Sequence, residues 1–208
     1  MISLSVDVEQ KKVIIIGGGK TAEKRAKVFL REKARITVVS PAVTEDLKEM
    51  IKKKEIHWLN RHFENGDVTS AFLLVIATDD CETNDNIALQ AGNVPLVNRV
   101  DGGKGGNLHL PAQFTRGKLN VSVTTQGASP KLAGRLREEW EKQFPPAYKD
   151  YMDFLYECRQ MLKASPLSKV EKEMYLERML DPSYLEREKQ WIIKEEIHTK
   201  GGGSLCRD

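Results

Sequence analysis

The sequence predicts an α/β protein, with a parallel sheet wound by helices over its amino-terminal half and helices alone at its carboxyl-terminal end. Three observations predict it. A β-branched run, Val13-Ile14-Ile15-Ile16, passes straight into Gly17-Gly18-Gly19 and then into a helical pattern. Strand-like and helix-like stretches alternate from there to Val97, as crossover helices between parallel strands require. Beyond Pro145-Pro146 the apolar residues recur only at helical spacing.

Each element has its own reason. Val13 to Ile16 read as a strand buried on both faces, because an unbroken β-branched run suits that position. Ala22, Ala26, Phe29 and Leu30 then fall on one face of a helix. Gly17, Gly19 and Ala22 match the G-x-G-x-x-G/A spacing of a Rossmann-like dinucleotide site. Gly17 permits a sharp turn, Gly19 lets the main chain approach a pyrophosphate, and Ala22 lets the helix pack closely. The helix start supplies unpaired N–H groups and a positive dipole end. Gly17, Gly18, Gly19, Lys20 and Thr21 are therefore the candidate phosphate cradle. Gly19-Lys20-Thr21 also resembles the end of an NTPase phosphate loop, but that motif needs a glycine where this chain has Ile14. A tight glycine turn with no ligand is the plain alternative.

Ile2 to Val8 read as a short edge strand or an arm. Ile36 to Pro41 read as the second strand. Its end carries Ser40 and Pro41 where many NAD sites carry an acidic residue for the ribose hydroxyls. A serine still serves that contact, and no arginine follows closely, so NAD is favoured over NADP. Leu47, Met50 and Ile51 mark a second helix, and Ile56 to Leu59 a third strand. Phe72 to Ala77 form a buried strand running into Thr78-Asp79-Asp80, at the strand end where open α/β sheets bind ligands. Asn84, Ile87, Ala88 and Ala91 are helix-spaced, and Pro95 to Asn98 start another strand. Arg99 to Asn107 read as a glycine-rich loop, built for unusual backbone geometry or as a mobile lid, with Asp101 near its start. Leu108 to Leu110 and Leu119 to Thr125 read as a half-exposed antiparallel pair. Ser129 is an N-cap and Pro130 the first helical residue, with Leu132, Ala133, Leu136 and Trp140 on one face. Tyr148, Tyr151, Met152, Leu155 and Leu162 form the next stripe. Ser168 and Glu171 make a capping box before Met174 and Leu180. Asp181-Pro182 restart a last helix with Leu185, Trp191 and Ile192. Gly201 to Asp208 read as a frayed tail.

Composition narrows the function classes. The chain has 208 residues, 40% hydrophobic and 30% charged, with a net charge of +3; that balance gives no argument for nucleic acid. Cys81, Cys158 and Cys206 suit neither a disulfide framework nor a zinc site and read as reduced thiols in a cytoplasm. The start of the chain is too short for a signal peptide, and no apolar run is long enough to span a membrane. His57, His62, His109 and His198 show no metal-ligand spacing, so no metal site is expected. His109 stands nearest the proposed cleft in sequence.

The order of these pieces resembles the precorrin-2 dehydrogenase family, the dehydrogenase/ferrochelatase module of siroheme synthesis. The matching residues are Ile16 to Gly19, Thr37 to Pro41, Ala77 to Asp80, Val97-Asn98, Pro111-Ala112, Arg116-Gly117, and Gly127 to Pro130 with Leu132-Ala133. Phe154 to Arg159 resemble the stand-alone dehydrogenases of bacilli. The resemblance implies an NAD-binding Rossmann domain over 1–111, a small α+β dimerisation segment over 112–146, and a helical domain with a disordered tail over 147–208. It implies a homodimer that oxidises the tetrapyrrole precorrin-2 to sirohydrochlorin with NAD. Asp101 matches an aspartate used in catalysis and is the candidate proton acceptor. Thr78 joins the cofactor residues, and Ser129 lies in the substrate cleft. Arg116 and Lys131, with Lys118, Arg135 and Arg137, would meet the substrate's carboxylates, unless they are only solvated surface charges. Bifunctional relatives continue after the aspartate with an acidic, proline-containing turn and a cysteine. This chain has Gly102-Gly103-Lys104-Gly105-Gly106 instead, so the resemblance carries oxidation further than metal insertion. A separate ferrochelatase partner, a bifunctional enzyme, and a nucleotide-sensing module without turnover stand as the alternatives.

Overall fold

The computed structural model describes residues 2–201. The expected tail beyond Gly201, with Cys206, lies outside the described residues. The chain separates into two compact units, Met1–Leu110 and Pro111–Asp208.

The first unit is a five-stranded parallel sheet in the order β3-β2-β1-β4-β5. Its strands are β1 (Lys12–Ile16), β2 (Arg35–Val39), β3 (His57–Leu59), β4 (Leu73–Ile76) and β5 (Leu96–Arg99). Helices α1 (Lys20–Arg31), α2 (Glu45–Lys52) and α3 (Cys81–Gln90) connect them. Successive side chains on a strand point to opposite faces, and β1 uses both. Val13 and Ile15 pack with Ala22, Ala26 and Phe29 of α1 and Leu47 of α2. Ile14 and Ile16 pack with Ile87 and Ala91 at α3. Each of these isoleucines is at most 2% exposed, a burial that contributes about 1.5–3 kcal/mol per side chain. The strand order reverses between β1 and β4, so the crevice forms at their carboxyl ends. Ile2 to Val8 take the arm reading, without regular structure, and only Val8 is buried.

The second unit opens with an antiparallel hairpin, β6 (Ala112–Arg116) and β7 (Leu119–Val123). This corrects the expected partner strand at Leu108 to Leu110. That segment has no strand structure, and Leu108 and Leu110 pack on the core of the first unit. Pro111 cannot donate to a ladder, and the two-residue turn at Gly117-Lys118, with Gly117 at φ +59°, pairs Arg116 with Leu119. Four helices follow: α4 (Pro130–Gln143), α5 (Tyr148–Ala164), α6 (Lys169–Arg178) and α7 (Arg187–Lys200). The Ser168–Glu171 capping box forms as expected.

The helices bury stripes that overlap the expected ones only in part: Tyr151 and Leu162 are buried as expected, the rest differ. On α5 the buried residues are Tyr151, Phe154, Cys158 and Leu162; on α6, Tyr175, with Met179 just beyond; on α7, Ile193 and Ile197. Met174, Leu180, Trp191 and Ile192 are exposed. The expected single last helix is a 3₁₀ turn at Pro182–Leu185 followed by α7. An unbroken aromatic series, Phe114, Phe144, Tyr148, Tyr151, Phe154 and Tyr184, joins the hairpin to the helices. The sequence division near 146–147 therefore runs through one packed unit. Among the described residues no helix is long and apolar enough to cross a membrane.

Candidate active site

The crevice at the carboxyl ends of β1 and β4 is a cavity of about 690 Å³, within the size range of ligand sites. Of the candidate cofactor residues, Gly17, Gly18, Gly19, Ser40, Pro41 and Thr78 line it; Lys20 and Thr21 stand outside the lining. The turn is clamped on both sides: Gly17 N–H donates to Val39 O at 2.9 Å, and Thr44 N–H donates to Gly18 O at 3.1 Å. The Gly18 and Gly19 amides take no part in that clamp.

The three glycines have different reasons to be glycine. A Cβ on Gly17, at φ +114°, would lie 2.2 Å from Ala77 O. One on Gly18 would lie 1.9 Å from Ala42 O. Both are needed for the fold. Gly19 is different: nothing stands within 4 Å of its Cβ position, and it is the N-cap of α1 with no side-chain cap. It leaves bare main chain at the helix start, beside an open cavity, which is how an anion site is built. The turn thus fits the diphosphate of a dinucleotide. Ser40 is buried, and its hydroxyl donates to Ala42 O at 2.7 Å. Its lone pairs are left to accept from a ribose hydroxyl.

One carboxylate stands in the first turn of α1, where it would oppose an anion. Glu23 is buried and bonded to Lys27 at 2.8 Å and Lys20 at 3.0 Å. Those hydrogen bonds hold its carboxyl at about 2, below the ordinary 4.5, and the two ammonium groups cancel its charge. His62 and Phe63 also line the cavity. The expectation that His109 is the nearest histidine is corrected: His109 is exposed and is not part of the lining.

Asp101 sits past the end of β5. Its Oδ1 accepts from Arg99 Nε at 2.9 Å and Gly103 N at 3.1 Å. Its Oδ2 accepts from Arg99 Nη2 at 2.6 Å and Asn84 Nδ2 at 3.0 Å. Four bonds fill the acceptor sites of a carboxylate. The Arg99 guanidinium above all, with Gly103 and Asn84, drives its pKa far below the ordinary carboxylate range. The expected proton acceptor is therefore held in this conformation as a carboxylate whose acceptor sites are filled and whose ionised form is favoured. The glycine loop beside it is ordered around Arg99 rather than free: Arg99 Nη1 donates to Lys104 O at 2.7 Å, and Gly102 and Gly105 take positive φ.

In the second unit Ser129 caps α4, accepting from Leu132 N at 3.2 Å. Arg116, expected at the substrate, is engaged within the second unit. Its Nε donates to Phe144 O at 2.9 Å, and its Nη2 pairs with Glu141 at 3.2 Å, so it fastens β6 to the end of α4. Lys118 pairs with Asp153, and Arg137 with Glu138 and Glu141. Lys131 and Arg135 are exposed and make no ion pair among the described residues. Cys158 is buried, its thiol pushed up to about 11 chiefly by loss of solvent, which makes it a packing residue.

Asn84, Arg99 and His62 were not singled out as site residues from the sequence. The available signal was polarity in the wrong phase: an asparagine on the apolar face of α3, and an arginine at the end of a buried strand.

Comparison with known proteins adds the family. A family model described as putative NAD(P)-binding matches residues 4–112, and one described as SirC C-terminal domain matches 148–191. A precorrin-2 dehydrogenase from Priestia megaterium is 34% identical over 184 residues, 88% of this chain and 91% of that protein. One from Bacillus subtilis (strain 168) is 38% identical, over 77% of this chain and 99% of that protein. The solved structure of "SirC, precorrin-2 dehydrogenase" is 32% identical with a TM-score of 0.80, covering 96% of this chain and 100% of that one.

Proposed function

The chain belongs to the precorrin-2 dehydrogenase family, and from that premise we propose how its own residues serve the reaction. It is an NAD-dependent dehydrogenase that oxidises precorrin-2 to sirohydrochlorin in siroheme biosynthesis. The observation that carries the reading is the Gly17–Gly19 turn, clamped by Val39 and Thr44 and open at Gly19 to the cavity.

NAD, when bound, supplies the hydride acceptor. The amides of Gly18 and Gly19 would hold the diphosphate, with the main chain of Lys20 and Thr21 at the start of α1 behind them. Ser40 would accept from a ribose hydroxyl, and Pro41 and Thr78, which also line the cavity, would contact the dinucleotide. A macrocycle that loses hydride is left with positive charge, and it then gives up a proton to solvent water. Asp101, held ionised by Arg99 and Asn84, stabilises that charge as a fixed anion in place of taking the proton itself. Lys131 and Ser129 are the proposed contacts for substrate carboxylates. Leu132 on α4 is 48% exposed, which supports a homodimer through 112–146 as the form in which the enzyme works, in the cytoplasm.

The test is NADH formation from NAD and precorrin-2 under anaerobic conditions, followed by Fe²⁺ addition to the product. NADH formation equimolar with substrate is the expected result. NAD binding without turnover would leave only a sensing role. Rapid enzyme-dependent metal insertion would make the chain bifunctional; otherwise a separate ferrochelatase completes the pathway.

A further inference from the structure

Around Asp101 lies a set of buried polar groups that the reaction as described does not use. Arg99 on β5 is 7% exposed and Asn84 on α3 is 1% exposed. Arg99 places four of its five N–H donors: Nε and Nη2 on the two oxygens of Asp101, and Nη1 on Asp85 at 2.5 Å and on Lys104 O at 2.7 Å. Asn84 faces both ways. Its Nδ2 donates to Asp101 Oδ2 at 3.0 Å and to Thr78 O at 3.2 Å, while its Oδ1 accepts from the Thr78 hydroxyl at 2.6 Å. Thr78 lines the coenzyme cavity.

We infer that Arg99 and Asn84 are positioning residues: Arg99 fixes the orientation and charge of Asp101, and Asn84 ties that carboxylate to Thr78 at the coenzyme. The inference rests on the reading above that Asp101 serves the oxidation.

The geometry supports it in three ways. A buried charged pair is seldom more stabilising than apolar packing of the same volume, so core stability alone does not call for one here. The planar fork of arginine meets a carboxylate through two parallel bonds, which sets orientation as well as charge. The glycine loop is fitted to the guanidinium at Gly103, where a Cβ would lie 2.1 Å from Arg99 Nη2 and 2.2 Å from Arg99 Cζ. The charged groups facing Asp101 are Arg99 from β5 and, through it, Asp85 from α3; from the loop, Lys104 gives its main-chain carbonyl.

The test compares four variants in the anaerobic NADH assay, with NAD binding measured alongside. Asp101→Asn comes first. If it turns over like the wild type, the assigned role of Asp101 is wrong and the inference falls with it. If it is impaired, Arg99→Gln is expected to bind NAD normally but gain an acid limb in kcat near about pH 4, as Asp101 returns to the ordinary carboxylate range. Arg99→Lys keeps the charge and restores the pH profile, with kcat still below wild type. Asn84→Ser, which keeps the test open if Arg99→Gln does not fold, is expected to raise the KM for NAD about threefold to tenfold, through the weakened hydrogen bonding at Thr78, and to lower kcat together with it. Wild-type pH dependence in Arg99→Gln, or wild-type kcat and KM in Asn84→Ser, would overturn the inference while leaving the dehydrogenase reading intact.

Discussion

The two units of the chain manage their apolar residues in opposite ways. In the first, β1 and β4 are covered on both faces, and among the described residues beyond the Ile2–Val8 arm the exposed large apolar side chain is Leu89. In the second, Leu132, Tyr156, Val170, Met174, Leu180, Trp191 and Ile192 are all between 48% and 79% exposed. The first unit closes its own core and concentrates buried polar groups, Ser40, Asn84, Asn98 and Arg99, at or near the carboxyl ends of its strands. The second keeps apolar surface in reserve. That is the division expected if the first unit holds the coenzyme by itself and the second carries the proposed dimer contact.

The sharpest way to break this comparison is at the glycine turn. Gly18→Ala sets a Cβ 1.9 Å from the Ala42 carbonyl, and is expected to destabilise the first unit by about 3 kcal/mol or more, measured by denaturant unfolding. Gly19→Ala, with open space at that position, is expected to cost about 1 kcal/mol or less as an altered N-cap. It should nevertheless weaken NAD by an order of magnitude, roughly 1.4 kcal/mol, seen by calorimetric titration. Equal stability losses in the two variants would show that Gly19 serves the fold and not the ligand.

In the second unit, Leu162→Ala removes a side chain 2% exposed and is expected to cost about 2–5 kcal/mol while leaving NAD affinity unchanged. Tyr151→Phe removes a bond to Met179 O of 2.7 Å, for about 1–2 kcal/mol. Loss of NAD binding in either variant would mean that the units are not independent.

Glu23 gives a pH test of the first unit. Its folded pKa, about 2, lies below the ordinary 4.5, so its contribution is complete above 4.5 and is lost as pH falls towards 2. Glu23→Gln should therefore melt lower than the wild type at neutral pH, with the gap closing towards pH 2; a constant gap would contradict the pairing. The smallest effect on stability belongs to Leu132→Ser, expected within about 0.5 kcal/mol. Its readout is assembly, and a variant that sediments like the wild type would exclude Leu132 from a dimer contact.

The same contrast explains what was legible in the sequence. A strand buried on both faces has no phase to misjudge, so Val13–Ile16 and the β4 run read correctly, and three glycines between strand and helix have few other meanings. The helices of the second unit carry apolar residues on more than one side. Met174 or Tyr175, and Trp191 or Ile193, could not be ranked without knowing which neighbour each stripe meets. Leu108–Leu110 alternates like a strand but serves as core packing before Pro111. The role of Arg99 was hidden for another reason: its partners come from α3 (Asp85) and from the loop after β5 (Asp101 and the Lys104 carbonyl), and only the fold brings helix and loop to one guanidinium.

The central claim is that a coenzyme's diphosphate rests on the Gly18–Gly19 main chain. A crystal structure of the chain with NAD tests it most directly. The account predicts phosphate oxygens within hydrogen-bond reach of the Gly18 and Gly19 amides. A dinucleotide bound elsewhere, with that turn vacant, would contradict it.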